Sequence, residues 1–572
     1  MGSQYQWIMP EGVQAASLRE RILQRRGLTG EREQALFASS LPSLSLLREP
    51  ASLPGADAAA ASLDDWLKQG LRIAIYGDYD ADGLCAAAIM SRLLRLFDAA
   101  PRVFIPHRVD EGYGVHADAL RQLQADGVQA VITVDCGIRS FKEAALAKEL
   151  GLRMVITDHH RVECGADGAP VVPQAEAVAH PSLGGCPFEH ISGSVVAFKV
   201  AKRLIRLRGG ERPPERLRNW VVDIALPLAA MGLVPDVMPL LDENRVLVAN
   251  AVKRLPTCGI PGVQAILREA RVGAGEVDAR TLGFHIGPRL NASGRLDEAT
   301  DALRVLDTDD AAEARAAARK LEAANNERKL RQDELVRATE AMVVERGLDD
   351  AVKASIVMAD PSWHPGLLGL AAARLVEKYN KPVMLFGGED QWLKASGRAP
   401  VGIDLHACLD ACAALLVKYG GHAAAAGGSI EPANMPAFIE AFEQAVRAQM
   451  GQEPRPRTLQ VDVSMSIEQA MAAIDELRTL QPFGKDFPEP LIHCPGLRVH
   501  DASVLGADRT HLKVRVQSQG SLRTTELLLW RQADRIGEFR RSRMLEVVGS
   551  PKPSTNPRWD PSFEVKDLLF VD

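Results

Sequence analysis

Asp78, Asp80 and Asp82 occupy alternate positions of Asp78-Tyr79-Asp80-Ala81-Asp82-Gly83. Carboxylates this close repel one another and raise one another's pKa unless a cation neutralises them. Further along, Asp135 opens Asp135-Cys136-Gly137, Asp158 precedes the pair His159-His160, and Asp236 follows Gly232-Leu233-Val234-Pro235. Several carboxylates with imidazole and no required thiolate suit one or more divalent ions such as Mn²⁺ or Mg²⁺ rather than a structural zinc. The downstream acid of a calcium loop is missing after Asp82, which excludes that alternative.

The elements that must position these groups are legible around them. Ile73-Ala74-Ile75-Tyr76, Ala130 to Val134 and Met154 to Thr157 are apolar, β-rich runs, and each ends in an acid. Leu84 to Met90 and roughly Lys142 to Gly151 have helical patterns between them. This alternation predicts a Rossmann-like α/β domain whose parallel strands bring their C-terminal ends to one edge, the usual ligand-binding edge. Each piece alone has a plainer reading. An Asp-rich turn caps a helix, a histidine pair is solvated, and Asp135 or Asp236 caps a helix. Acids at four segment ends beside a double histidine in one α/β stretch are hard to obtain as independent accidents.

Beyond this domain the pattern changes twice. From about Ala311 a long segment rich in Ala, Glu, Lys and Arg runs past Ala341 without Gly or Pro and predicts a long helix. A second α/β pattern follows: strand Ala354 to Ala359, helix Leu367 to Tyr379, strand Pro382 to Phe386 and helix Leu405 to Lys418, ended by the glycine-rich stretch Gly420 to Gly428. After Pro454-Arg455-Pro456, runs such as Leu512 to Val516 and Thr525 to Leu529 predict a small β-barrel.

Tyr79-Asp80-Ala81-Asp82-Gly83, Val134-Asp135-Cys136-Gly137, Asp158-His159-His160 and Gly232 to Val237 resemble the four motifs of the DHH phosphoesterases. Lys418 to Ala423 resembles the glycine-histidine signature of the associated DHHA1 domain. Ile105 to Gly114, Gly287 to Arg295, Trp363 to Gly366 and Ser396-Gly397-Arg398 are similar to the RecJ family within that superfamily, whose members are single-strand-specific 5′→3′ DNA exonucleases. The resemblance runs from about Leu46 almost to the C-terminus.

It implies an α/β multidomain chain. An N-terminal helical segment spans residues 1–54 and a Rossmann-like DHH domain residues 55–309. A connecting long helix, residues 310–348, acts as a strut to a smaller α/β DHHA1 domain, residues 349–452. The resemblance also implies a C-terminal β-barrel over residues 453–572, an OB fold expected to bind nucleic acid. It further implies that Asp80, Asp82, Asp135, His159 and Asp236 hold two divalent ions, with Asp82 and Asp135 bridging. Asp158 orients the histidine pair, His160 faces the substrate, and Asp78 holds the loop or an outer water. Tyr76 stands where many members carry histidine. The implied reaction is two-metal hydrolysis of a phosphodiester by in-line displacement, with no covalent enzyme intermediate. Arg108, Ser396 and Arg398 form the implied pocket for a terminal 5′-phosphate, giving polarity and mononucleotide release. Gly421 and His422 contact substrate, and Trp530, Arg531, His511, Lys513 and Arg515 are candidates for the strand-binding surface of the barrel. Pro482-Phe483-Gly484 matches a linker motif without assignable chemistry.

Composition fits these readings. The 572 residues allow several domains, and 46% hydrophobic content is ordinary for a globular chain. No apolar run approaches the ~20 residues of a membrane helix. The N-terminus lacks a signal pattern and the eight cysteines lack metal spacing, with Cys408 and Cys412 read as core; a reduced cytoplasm is expected. The net charge of −6 sums over acidic metal sites and does not exclude nucleic acid, because what matters is where charge sits. Lys202 to Arg218 is strongly basic, either a phosphate track or a solvated helix. Expected partners are single-stranded DNA, a single-strand-binding protein and a RecQ-type helicase, in DNA repair and recombination, for a monomer with no membrane contact. A DHH phosphodiesterase for short oligonucleotides or cyclic dinucleotides is the alternative enzyme. It predicts no terminal barrel. A catalytically dead scaffold would have lost the acids, and a pyrophosphatase would be far shorter.

Overall fold

Arg102–Phe104, Ile73–Gly77, Ala130–Val134, Arg153–Thr157 and Ala177–Ala179 lie side by side, in that order, as a fully parallel sheet. In this computed structural model, which describes residues 5–11, 17–107, 111–296, 299–388, 391–450, 457–506, 509–541, 544–554 and 560–571, the chain forms two compact units. The sheet belongs to the unit made of Glu49–Asp236 and Lys253–Arg455. The central strands Ile73–Gly77 and Ala130–Val134 are buried at every position, which is why their sequences read as continuous apolar runs. Helix Ala81–Leu96 is buried over nearly its whole length and packs on Gly193–Gly209 and Leu226–Leu233.

Asp310 caps the helix Ala311–Glu345 by accepting from the amides of Ala312 and Glu313. Its 35 residues span about 52 Å. The N-terminal half packs on Pro261–Glu269, Gly287–Leu296 and Thr300–Asp307. Leu335 and Val343, farther on, join the core under the helix Pro365–Tyr379. The second sheet runs Leu416–His422, Ala425–Ile430, Leu393–Arg398, Val383–Gly387, Ile356–Ala359. One expectation fails here. The helix expected from Leu405 to Lys418 ends at Ala411, and Leu416–His422 is a strand. Leu416-Val417-Lys418-Tyr419 contains a β-branched and an aromatic residue, so it suits the edge of a pleated sheet better than a continued helix. The glycines after it therefore do not cap a helix. A Cβ on Gly421 would fall 2.4 Å from Ala426 Cα, so its bare backbone admits the neighbouring strand.

The first part of the basic stretch from Lys202 is paired with acids. Arg203 and Arg208 pair with Asp57 and Asp64 at 2.6 and 2.7 Å, and Arg206 pairs with Glu49.

The other unit gathers Met1–Arg48, Val237–Val252 and Pro456–Asp572. Ile492–Leu505, His511–Ser518, Thr525–Leu529, Ser562–Phe570 and Met544–Lys552 pair in sequence, and the last pairs back on the first to close a five-stranded barrel. Leu512, Val514 and Val516 point inward, so Lys513 and Arg515 point outward, where they pair with Glu526 and Asp501. Gln6–Ile8 adds to Thr458–Gln460, and Leu18, Ile22 and Phe37 share the barrel's core. Arg245 is fully buried there. It donates to the main-chain oxygens of Leu36, Leu480, Gln481 and Pro482, and its guanidinium lies 3.9 Å from the Phe37 ring centre. The linker motif at Pro482 thus has a structural job as part of the Arg245 receptor. Among the described residues no helix is long and apolar enough to cross a membrane. Cys408 and Cys412 are buried core residues.

Candidate metal centre

Gly77, Val134 and Thr157 stand in register on adjacent strands, so Asp78, Asp135 and Asp158 leave the sheet at one level. The strand order is 2-1-3-4-5 by chain position, and the switch point lies between Ile73–Gly77 and Ala130–Val134, where open α/β sheets bind ligands. Asp80 caps helix Ala81–Leu96, its Oδ1 accepting from the amides of Asp82 (2.9 Å) and Gly83 (3.1 Å). Asp82 turns into the interior, where Gly193 and Ser194, at the start of helix Gly193–Gly209, donate their amides to it at 2.6 and 3.1 Å. Asp135 holds a left-handed φ of 62°, open to aspartate at small cost. Asp236 reaches the site from the turn after helix Leu226–Leu233, not from the end of a strand. The apolar run Met231 to Val234 fits a buried helix as well as a strand, so periodicity alone could not separate them.

Three buried atoms face one another without hydrogen-bond partners: Asp135 Oδ1, Asp236 Oδ2 and His159 Nε2. His159 Nε2 is 3.1 Å from Asp135 Oδ1, 3.6 Å from Asp236 Oδ2 and 3.9 Å from Asp82 Oδ2. Burial, and then His160, press His159 down to about 3, so its imidazole is neutral and a nitrogen lone pair meets carboxylate lone pairs. Burial, then the charge of Asp80, pushes Asp82 up to about 6. Burial followed by the neighbouring aspartates drives Asp135 and Asp236 well above the carboxylate range. A divalent cation removes all of these penalties at once. The backbone is shaped for such a group. A Cβ on Gly193 would fall 2.4 Å from Asp135 Oδ1, and one on Gly232 2.3 Å from Asp82 Oδ1. Three overlapping sets could hold ions: Asp78, Asp80 and Asp135; Asp82, His159 and Asp236; and Asp135, His159 and His160. Asp78, expected at the margin, falls in the first set.

Asp158 is fully buried and collects four donors: the amides of Ile138, His159 and His160, and His160 Nδ1 at 2.8 Å. Burial would raise its pKa, but His160 and the other donors outweigh it and hold the carboxyl ionised. In return Asp158, with Asp78 and Asp80 behind it, overcomes burial and raises His160 to about 9. Tyr76 takes no part in the ligand cluster. Its ring packs on Phe104 at 4.9 Å and its hydroxyl donates to Gly114 O.

Arg108 lies outside the described residues. Ser396 and Arg398 share one face of Leu393–Arg398, two positions apart, with Arg398 Nη1 donating to Gly397 O at 2.7 Å. Both side chains reach Gly369, in helix Pro365–Tyr379, where a Cβ would fall 2.8 Å from Ser396 Oγ and 3.0 Å from Arg398 Nη2. His422 is exposed at the end of its strand; burial, then His160 and Arg161, lower its pKa.

Several participants escaped sequence reasoning. The amides of Gly193 and Ser194 have no side-chain signature at all. Asn291 Oδ1 accepts from the Ala81 amide at 2.7 Å, tying helix Gly287–Leu296 to the Asp80 loop. Tyr113 puts its hydroxyl 2.9 Å from His160 Nδ1, and an aromatic between Gly112 and Gly114 was the signal available.

Three family models match the chain: the DHH family N-terminal domain over residues 72–227, the DHHA1 domain over 350–448 and the RecJ OB domain over 461–567. The single-stranded-DNA-specific exonuclease RecJ of Bacillus subtilis is 32% identical, over 83% of this chain and 58% of that protein. The same-named protein of Escherichia coli is 33% identical, over 82% of each. The chain thus spans less than two thirds of the first relative's length and most of the second's. The crystal structure of RecJ from Thermus thermophilus in complex with Mn²⁺ superposes with a TM-score of 0.80 at 28% identity, covering 100% of this chain and 80% of that one.

Proposed function

The chain belongs to the RecJ family of single-stranded-DNA-specific exonucleases, and from that premise we propose that it degrades single-stranded DNA 5′→3′ to mononucleotides by metal-dependent phosphodiester hydrolysis. The observation that carries this reading is the set of partnerless buried atoms of Asp135, Asp236 and His159 at the edge of a parallel sheet. Asp80, Asp82, Asp135, His159 and Asp236 would hold two divalent ions, Mn²⁺ or Mg²⁺. Such ions, when bound, supply Lewis acidity toward phosphate and a more acidic water.

The chain's own residues do the rest. The amides of Gly193 and Ser194 fix Asp82, and Asn291 fixes the loop before it. Asp158 keeps the proton of His160 on Nδ1 and turns the ring toward the scissile phosphate, where His160 stabilises developing charge or assists the leaving group. Arg108, Ser396 and Arg398 take the terminal 5′-phosphate, a role suited to guanidinium forks and a hydroxyl. Gly421 and His422 face the strand beside them. The closed barrel gives a second grip on single strands, which favours a long substrate over cyclic dinucleotides or very short oligonucleotides. The protein acts as a monomer in the cytoplasm, in DNA repair and recombination, beside a single-strand-binding protein and a RecQ-type helicase. Digestion of end-labelled single strands bearing either a 5′-phosphate or a 5′-hydroxyl tests this reading. Release of mononucleotides from the 5′ end, faster with the phosphate, is expected; release from the 3′ end, or attack on dinucleotides alone, would overturn it.

A further inference from the structure

Tyr113 stands beside His160 yet belongs to none of the ligand segments. Its hydroxyl lies 2.9 Å from His160 Nδ1 and 3.4 Å from the main-chain oxygen of Asp135, and its ring leans on the imidazole with centroids 4.8 Å apart. Asp158 Oδ1 lies 2.8 Å from the same Nδ1. A carboxylate only accepts, so Nδ1 carries a proton. The Tyr113 oxygen then serves as a second acceptor for that proton, and its own O–H points to the Asp135 carbonyl oxygen, which only accepts. Nδ1 is fully engaged, and Nε2 is the nitrogen left for the substrate. Tyr113 is 44% exposed and the His160 side chain 33%, so the pair opens to solvent on one side.

The loop that carries Tyr113 is itself held. Tyr76, buried in the strand that leads to Asp78, donates its hydroxyl to Gly114 O at 3.3 Å and accepts from the His116 amide at 3.2 Å. One phenol therefore pins the chain just after Tyr113, and the other reaches from that point to the imidazole. Asp158 grips the ring from its own loop, whereas Tyr113 links it to the backbone at Asp135. Two anchors on different loops leave the ring little freedom to swing.

We propose that Tyr113 is a positioning residue for phosphodiester cleavage, holding the His160 ring with Nε2 toward the scissile phosphate, and that Tyr76 holds the loop that delivers it. This rests on the reading of His160 as the substrate-facing histidine. The test compares Tyr113→Phe, Tyr76→Phe, His160→Ala and the Tyr113→Phe/His160→Ala double variant. Turnover is measured on 5′-phosphorylated single strands with Mn²⁺, and Mn²⁺ binding to each metal-free protein is measured by calorimetry. Tyr113→Phe keeps the ring and loses only the hydroxyl. Its kcat should fall about 10–100-fold, the loss typical of groups that orient a reacting imidazole. KM should stay within about twofold, as for an interaction made in the transition state. Mn²⁺ stoichiometry should not change. The double variant should be no slower than His160→Ala, because the hydroxyl acts only through that ring. Tyr76→Phe should show the same signature. A wild-type kcat in Tyr113→Phe, a loss confined to KM as for a base-stacking ring, a lost Mn²⁺ site, or additive losses in the double variant would each overturn the assignment. A wild-type rate in His160→Ala would instead overturn the reading of His160, and the positioning role with it.

Discussion

Gly193 and Asp135 are in contact so close that a Cβ on the glycine would fall 2.4 Å from the Asp135 carboxylate oxygen Oδ1. The same glycine donates its amide to Asp82 at 2.6 Å. One residue without a side chain therefore touches the two carboxylates read as bridging. Gly193→Ala should leave the helix Gly193–Gly209 intact, since alanine favours it. It should weaken Mn²⁺ binding more than about tenfold by displacing ligands, and abolish turnover with it. Gly275→Ala, whose Cβ would meet nothing within 4 Å, serves as the control. Calorimetry showing equal Mn²⁺ affinity in the two variants would contradict the placement of the metals.

The carboxylates themselves give a sharper separation. Asp82→Ala or Asp135→Ala should abolish cleavage, while binding of single-stranded DNA, measured by anisotropy, should persist because the barrel is untouched. Near-normal Mn²⁺-dependent turnover in either variant would remove the bridging role. His159→Ala should lose Mn²⁺ affinity, whereas His160→Ala should lose turnover at nearly unchanged metal stoichiometry. Loss of the same metal in both would erase the division between them.

The raised carboxylates also set a pH dependence for the metal-free protein. Asp82 is pushed up to about 6, and Asp135 and Asp236 are raised as well. Between an unfolded aspartate pKa of ~3.9 and these values the native state holds protons that the unfolded chain has released. Stability therefore falls as pH rises through that window. Denaturant melts of the metal-free protein at about pH 5 and about pH 7 should show this slope, and Asp82→Asn should flatten it. An unchanged slope in the variant would mean that Asp82 is not crowded in solution.

The sheet and its acids were legible because buried parallel strands need continuous apolar runs and because charge at their ends stands out against them. Asp236 was legible as an acid but not as a helix-borne one, since Met231 to Val234 is apolar in either setting. Leu416–His422 was misread because Leu405 begins a true helix and no Gly or Pro marks its stop at Ala411, which leaves only Val417 and Tyr419 to favour a strand. The amides of Gly193 and Ser194 were invisible in principle, for every residue but proline carries one. Tyr113 lies within Ile105 to Gly114, but only the fold, with Tyr76 holding Gly114, brings it to His160.

At the second sheet, Ser396 and Arg398 converge on Gly369 from one strand face. Losing a charged fork on an ionised phosphate costs roughly 1.5–3 kcal/mol. Arg398→Ala should thus slow digestion of 5′-phosphorylated strands roughly 10–150-fold and 5′-hydroxyl strands far less. The product should stay a mononucleotide, because the metal ligands are untouched. Equal losses on the two substrates would leave Arg398 as a structural residue.

The barrel carries the last expectation. Trp530 is 46% exposed and meets the His511 ring edge-on at 4.8 Å, while Arg531 donates its amide to His511 Nδ1. Lys513 and Arg515, on the same strand as His511, are paired with acids, so their charges are partly spent within the barrel. Stacking on Trp530 then matters more than charge for any strand held there. A base stacked on an aromatic ring contributes ~1–3 kcal/mol. Trp530→Ala should weaken anisotropy-measured binding of a long single strand by about 5–150-fold with little change in the rate on short ones. Lys513→Ala should weaken it less and leave most of the salt dependence in place. Equal affinity of Trp530→Ala and the parent protein for long strands would place the grip of the barrel elsewhere on its surface.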